Sequence, residues 1–156
     1  MLAHHLQVTV TAAIAAGSAL LFVYWFRYTC LLILSAKTAF DYAAKTAAAN
    51  QLGFLDVQAR LREGVSADLD VLHQALERDY SRLTYLLENA SQAGAEDSLI
   101  EVRMLEMYYR LTAVWYNVSR TFSPEAARRA LEDMSSVVAH LANVMGERVA
   151  CDAAAA

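Results

Sequence analysis

The sequence predicts an all-α protein: a single N-terminal transmembrane helix, then a stalk, then an antiparallel helical bundle or coiled-coil-like hairpin. Three observations predict it. Of 156 residues, 57% are hydrophobic and 19% charged, against roughly 45–50% and about 25% in ordinary globular chains. One proline and five glycines leave few turns for a multi-stranded sheet. Charge is also split unevenly: residues 1–36 carry only Arg27, and the rest of the chain carries the other 12 Lys/Arg and all 17 Asp/Glu. The composition therefore averages two segments suited to different solvents. Apolar abundance excludes intrinsic disorder. A net charge of −4 with no basic cluster offers no footprint for nucleic acid.

From Val8 to Phe26 the chain reads VTVTAAIAAGSALLFVYWF, 19 residues without a charge, close to the ~20 that cross a bilayer. The head, MLAHHLQ, lacks Lys and Arg. The apolar run also exceeds the about 7–15 residues of a secretory signal, so an anchor is expected rather than a cleaved leader. The apolar segment resumes after Arg27 and reaches Ala36, about 43 Å of helix and more than one vertical crossing needs. The span is read at residues 8–26. Tyr24, Trp25 and Tyr28 then lie at headgroup level and Arg27 snorkels to the phosphates. A span centred on residues 17–36 would instead bury Arg27 at mid-membrane, at a cost of about 2.5–3.5 kcal/mol, and make it a contact residue.

Arg27, Lys37 and Lys45 follow the span and no lysine or arginine precedes it, so the positive-inside bias places the C-terminal part in the cytoplasm. Cys30 and Cys151 do not form a disulfide framework, which agrees with a reducing compartment. Cys30 sits where thioester lipidation is chemically open, but a buried apolar cysteine is the commoner case. Small residues recur four apart at Ala12/Ala16, Ala13/Gly17 and Ala15/Ala19, a spacing that admits a second helix backbone.

Residues 37–64 are expected to form an alanine-rich stalk continuing the membrane helix, kinked at Gly53 and stopped at Gly64. Residues 65–150 then form a helical domain. Ser66 is expected to cap a helix running to about Asn89, with Asp68 and Asp70 in its first turn. Leu69, Leu72, Leu76, Leu83 and Leu87 make a heptad-like seam, for a bundle core or an oligomer. The next helix starts near Glu96 and is expected to turn Ile100, Met104, Met107 or Tyr108, Leu111, Val114 or Trp115, and Val118 inward. Ser123-Pro124-Glu125 marks the start of the last helix: an N-cap, a proline at the first position and an acid in the first turn. Its inner face is Ala127, Leu131, Met134, Val138, Leu141 and Met145. Fraying is expected near Gly146, with residues 151–156 a disordered tail.

Chemistry-bearing motifs are sparse. Asp70-x-x-His73 is half of the paired carboxylate–histidine pattern of a di-iron bundle, and His140 has no acid at helical spacing. Adjacent His4 and His5 point to different helix faces and cannot share a metal. No glycine-flanked serine, phosphate loop or Cys-x-x-Cys occurs. The Met- and aromatic-rich run from Met104 to Tyr116 reads as core filler, with Tyr109, Arg110 and Tyr116 as candidates for an exposed patch. No cofactor, metal or enzymatic activity is expected. The expected function is that of a non-catalytic single-pass membrane protein whose cytoplasmic helical domain scaffolds, recruits or regulates through protein contacts. The alternative is an accessory subunit of a membrane enzyme, channel or transporter complex. Expected partners are the lipid bilayer and either a second copy or another membrane protein.

Overall fold

A computed structural model describes residues 2–36, 41–63, 68–89 and 96–155. Six helices appear in order: α1 (Leu2–Ser35), α2 (Ala43–Asn50), α3 (Phe54–Glu63), α4 (Leu69–Asn89), α5 (Glu96–Ser119) and α6 (Pro124–Ala155). The described residues contain no strand. The chain divides into two compact units, Met1–Ala36 and Lys37–Ala156.

The first unit is α1 alone. It runs unbroken through Arg27, and the stretch Gln7–Ser35 is long and apolar enough to cross a membrane. Its hydroxyls turn back on their own helix: Thr11 donates to the Gln7 carbonyl and Thr29 to that of Trp25, both at 2.9 Å. A polar side chain so satisfied is compatible with an apolar surrounding.

In the second unit α6 is the hub, in contact with α2, α3, α4 and α5. Its expected inner face holds up to Leu141: Ala127, Leu131, Met134, Val138 and Leu141 are fully buried while Met145 is half-buried, and Val137 and Ala142 join them because a helix touched on several sides buries a wider arc. The α6 start matches its sequence signature, with the Ala126 N–H donating to Ser123 Oγ at 3.2 Å. Asp68 caps α4, accepting from the Asp70 N–H at 3.0 Å. The expected cap at Ser66 and stop at Gly64 lie outside the described residues.

The stalk expectation meets a different outcome. α1 ends at Ser35, and α2 and α3 are separate helices packed on α6. Alanine serves close packing here: Thr46 and Ala47 of α2 are buried, and a Cβ at Gly146 would collide with Tyr42 and Thr46. Gly146 is thus the point where α2 crosses α6, and α6 continues through it to Ala155. α2 ends at Gln51, whose left-handed backbone (φ 52°) is one that L-residues seldom adopt.

Several helix ends are tied by side chains distant in sequence. Asn143 of α6 accepts the Tyr42 N–H at 2.7 Å, beside the start of α2. Asp79 of α4 is buried and accepts the Gly53 N–H at 2.7 Å, where α3 begins. Arg128 donates to the Leu61 carbonyl near the end of α3, and Arg148 to that of Leu87 near the end of α4. Each satisfies a terminal backbone group that has no partner within its own helix.

Candidate functional site

Two features of the second unit set its chemistry: a layer of aromatic and acidic side chains between α4 and α5, and the outward face of α5. The backbones of α4 and α5 stay apart. Large side chains fill the gap. Tyr80 and Tyr109 stack at 3.9 Å between ring centroids, and His73 stacks on Tyr116 at 4.4 Å. The Tyr116 hydroxyl donates to Asp70 Oδ1 at 2.8 Å, and Arg120 donates to the same oxygen at 2.6 Å. On the α6 side, Tyr108 donates to Asp133 at 2.9 Å.

The electrostatics follow from these positions. The hydrogen bonds from Tyr116 and Arg120 hold Asp70 below its usual carboxylate value. Burial pushes the Tyr116 phenol up, and Asp70 beside it adds to this. Burial lowers His73 and His140, favouring neutral imidazoles. It also raises the Asp79 carboxyl, against the pull of the Gly53 and Phe54 N–H groups, and raises Tyr80 and Tyr109. An open cleft of about 750 Å³ lies over the Tyr80–Tyr109 pair, rimmed by Arg78, Arg82 and Arg110 with Glu77 as its acid.

Both residues of the Asp70/His73 half-motif therefore serve a structural layer: Asp70 anchors Tyr116, and His73 is its stacking partner. No group of three or more metal-ligating side chains occurs among the described residues. The side chains of His4 and His5 lie outside them. The expected exposed patch is corrected at two of its three positions, since Tyr109 and Tyr116 are buried while Arg110 is exposed.

Of the inner face expected for α5, Tyr108 is buried and Met104 half-buried, and the remaining positions are corrected. Val102, Leu105, Tyr108, Tyr109, Thr112 and Tyr116 are buried, whereas Ile100, Met107, Leu111, Val114, Trp115 and Val118 are exposed. Helix α5 is apolar on two sides. On the side turned inward, the Tyr108 and Tyr116 hydroxyls find acceptors in Asp133 and Asp70, whereas the buried Tyr109 hydroxyl has none among the described residues. A buried phenol without an acceptor would carry a desolvation cost of about 1–3 kcal/mol.

The other sequence-derived positions fall into place individually. Leu72, Leu76, Leu83 and Leu87 are buried by the chain's own helices, and Leu69 is half-buried. Tyr24, Trp25, Arg27 and Tyr28 are exposed on α1, with Trp25 and Tyr28 edge to face at 6.4 Å. Ala12, Ala13, Ala16 and Gly17 are exposed too, and a Cβ at Gly17 would meet nothing within 4 Å. Cys30 is buried and Cys151 exposed. No family model, no curated protein and no solved structure matches the chain.

Proposed function

We propose that this is a single-pass membrane protein whose α1 anchors a non-catalytic, helical interaction domain to the cytoplasmic face of a bilayer. The observation that supports this best is the bareness of α1. Ile14, Leu20, Leu21, Phe22 and Val23 are each about 60–70% exposed, and the most apolar stretch of the helix has no buried residue. A core helix of a soluble domain would be covered, and an uncovered apolar helix of this length needs hydrocarbon around it. The span lies near residues 8–26, with Tyr24, Trp25, Arg27 and Tyr28 at the interface. The basic side chains that follow it give the orientation. The second unit, a bundle built on α6, then acts by protein contact.

Alkaline washing of membranes tests the anchor. The chain is expected to stay in the pellet, and full recovery in the wash overturns the reading. Cys151 labelling by an impermeant maleimide tests the orientation, with labelling expected only after the membrane is opened from the cytoplasmic side.

A second reading, an accessory subunit packed against multispanning partners, is favoured by one observation. Helix α1 runs straight through Arg27, with Leu31 and Leu32 exposed beyond it. An apolar helix longer than the bilayer leaves surface for another protein to cover. Arg27→Leu separates the two: unchanged assembly and topology fit an interfacial anchor, and loss of a co-purifying membrane protein fits the subunit.

A further inference from the structure

We propose that the outward face of α5 is a self-association surface, on which two copies of this chain pack α5 against α5, antiparallel, about a two-fold axis at Leu111. The proposal deepens the interaction reading above by naming the partner. Ile100, Met107, Leu111, Val114, Trp115, Val118 and Phe122 are between 46% and 66% exposed. At 100° per residue the six on the helix fall within one arc, and Phe122 extends it past the helix end, its ring edge-on to Trp115 at 6.2 Å. A helix apolar on opposite sides needs cover on both, and α4 and α6 cover only the tyrosine side. Isolated exposed apolar residues are ordinary, but a contiguous stripe of this kind marks an interaction site.

Three properties commit the stripe to a second copy. First, two pairs of the stripe are symmetric about Leu111: Ile100 lies eleven residues before it and Phe122 eleven after, while Met107 and Trp115 lie four before and four after; Val114 and Val118 fall opposite Tyr108, which is buried, and Met104, which is half-buried. In an isologous antiparallel contact residue i meets j and j meets i, so these two pairs and Leu111 on the axis set apolar side chains opposite one another. Second, the seven side chains leave on the order of 700 Å² uncovered per copy, near the ~800 Å² per partner of a specific interface. Third, a lipid surface suits the stripe poorly. All 17 acidic residues and 12 of the 13 basic ones follow residue 36, so this part of the chain is net acidic and an anionic leaflet repels it.

The test uses the full chain in nanodiscs, with Cys30→Ala and Cys151→Ser so that only introduced thiols react. On mild oxidation Leu111→Cys is expected to give a covalent dimer, because the axis brings the two thiols together. Ile100→Cys alone is expected to give no covalent dimer, and Ile100→Cys combined with Phe122→Cys to cross-link. Self-linking of Ile100→Cys as readily as Leu111→Cys would overturn the antiparallel geometry, and no link at Leu111→Cys would overturn the surface. Sedimentation gives a second measurement: Leu111→Arg, with an unchanged helical circular-dichroism signal, should weaken dimerisation by about tenfold or more. Wild-type sedimentation by this variant would assign the stripe to another occupant, a bilayer or a foreign protein, and overturn the pairing. An unlinked chain that still resists alkaline washing removes the pairing and leaves the anchor standing, so the two failures are distinguishable.

Discussion

Helices α4 and α5 are of similar length, 21 and 24 residues, and flank the same hub. α4 turns its leucines toward α6 and shows Glu77, Arg78 and Arg82 to solvent. α5 turns tyrosines inward, where acids on α4 and α6 receive two of their hydroxyls, and shows its aliphatic side to the outside. The folding of this one chain accounts for every large apolar side chain of α4 except Val71 and Tyr85. It leaves half of α5 unaccounted for. A helix made only to complete its own domain would carry polar residues there, and the proposed self-association gives that surplus a role.

The largest effect that can break this comparison is a pair of truncations. Leu76→Ala removes a fully buried side chain and is expected to cost about 2–5 kcal/mol. Leu111→Ala, half exposed on the other helix, should stay within about 0.5 kcal/mol under conditions where the chain is monomeric. Denaturant titration reads both, and equal losses would mean that the two faces are used alike. Next in size is Asp79→Ala, which deprives the Gly53 N–H of a buried acceptor at the start of α3. A loss of about 1–3 kcal/mol is expected, part of it restored by asparagine.

Tyr116→Phe sharpens the comparison on the inner side of α5. It removes the hydrogen bond to Asp70 while keeping the ring against His73, and should cost about 1 kcal/mol. Tyr85→Phe, on the exposed side of α4, should cost nothing measurable and is the control. The smallest effect is a pH dependence. Burial holds His73 and His140 below the ordinary 6.5, so the unfolded chain binds more protons than the folded one once the pH drops below that value. Stability is full above about pH 6.5 and falls as the pH descends toward the folded values, by under about 1 kcal/mol per histidine between pH 7 and 6. Asp70, held low, adds its own loss only at much more acid pH. His73→Phe keeps the stack and is expected to flatten part of the slope in thermal melts between pH 7.5 and 5.5.

Much of this architecture is legible in local sequence signals. The apolar stretch of α1, the break at Ser123-Pro124, the inner face of α6 and the inward leucines of α4 all rest on run length, capping chemistry or periodicity within one helix. The candidate surface was legible as a helical face but not as an outward one. Periodicity finds both apolar sides of α5 and cannot rank them, because the ranking depends on Asp70 and Asp133, 46 and 25 residues from their tyrosine partners. The same limit hid α2. An alanine-rich segment with no seam of its own reads as a continuation of the helix before it, and its true neighbour is Gly146, a century of residues downstream.

What the sequence by itself determined is one long apolar N-terminal helix, then amphipathic helices with readable starts and stops. Each of those features is carried by residues a few positions apart, where backbone hydrogen bonding and side-chain periodicity act without help. The tertiary structure alone decided that α2 and α3 pack on α6, that distant side chains tie the ends of α2, α3 and α4, and that α5 turns its tyrosines in and its aliphatic face out. Those outcomes are set by pairs of groups brought together across the chain, a buried donor finding its acceptor or a glycine admitting a neighbour's backbone, and no local pattern contains them.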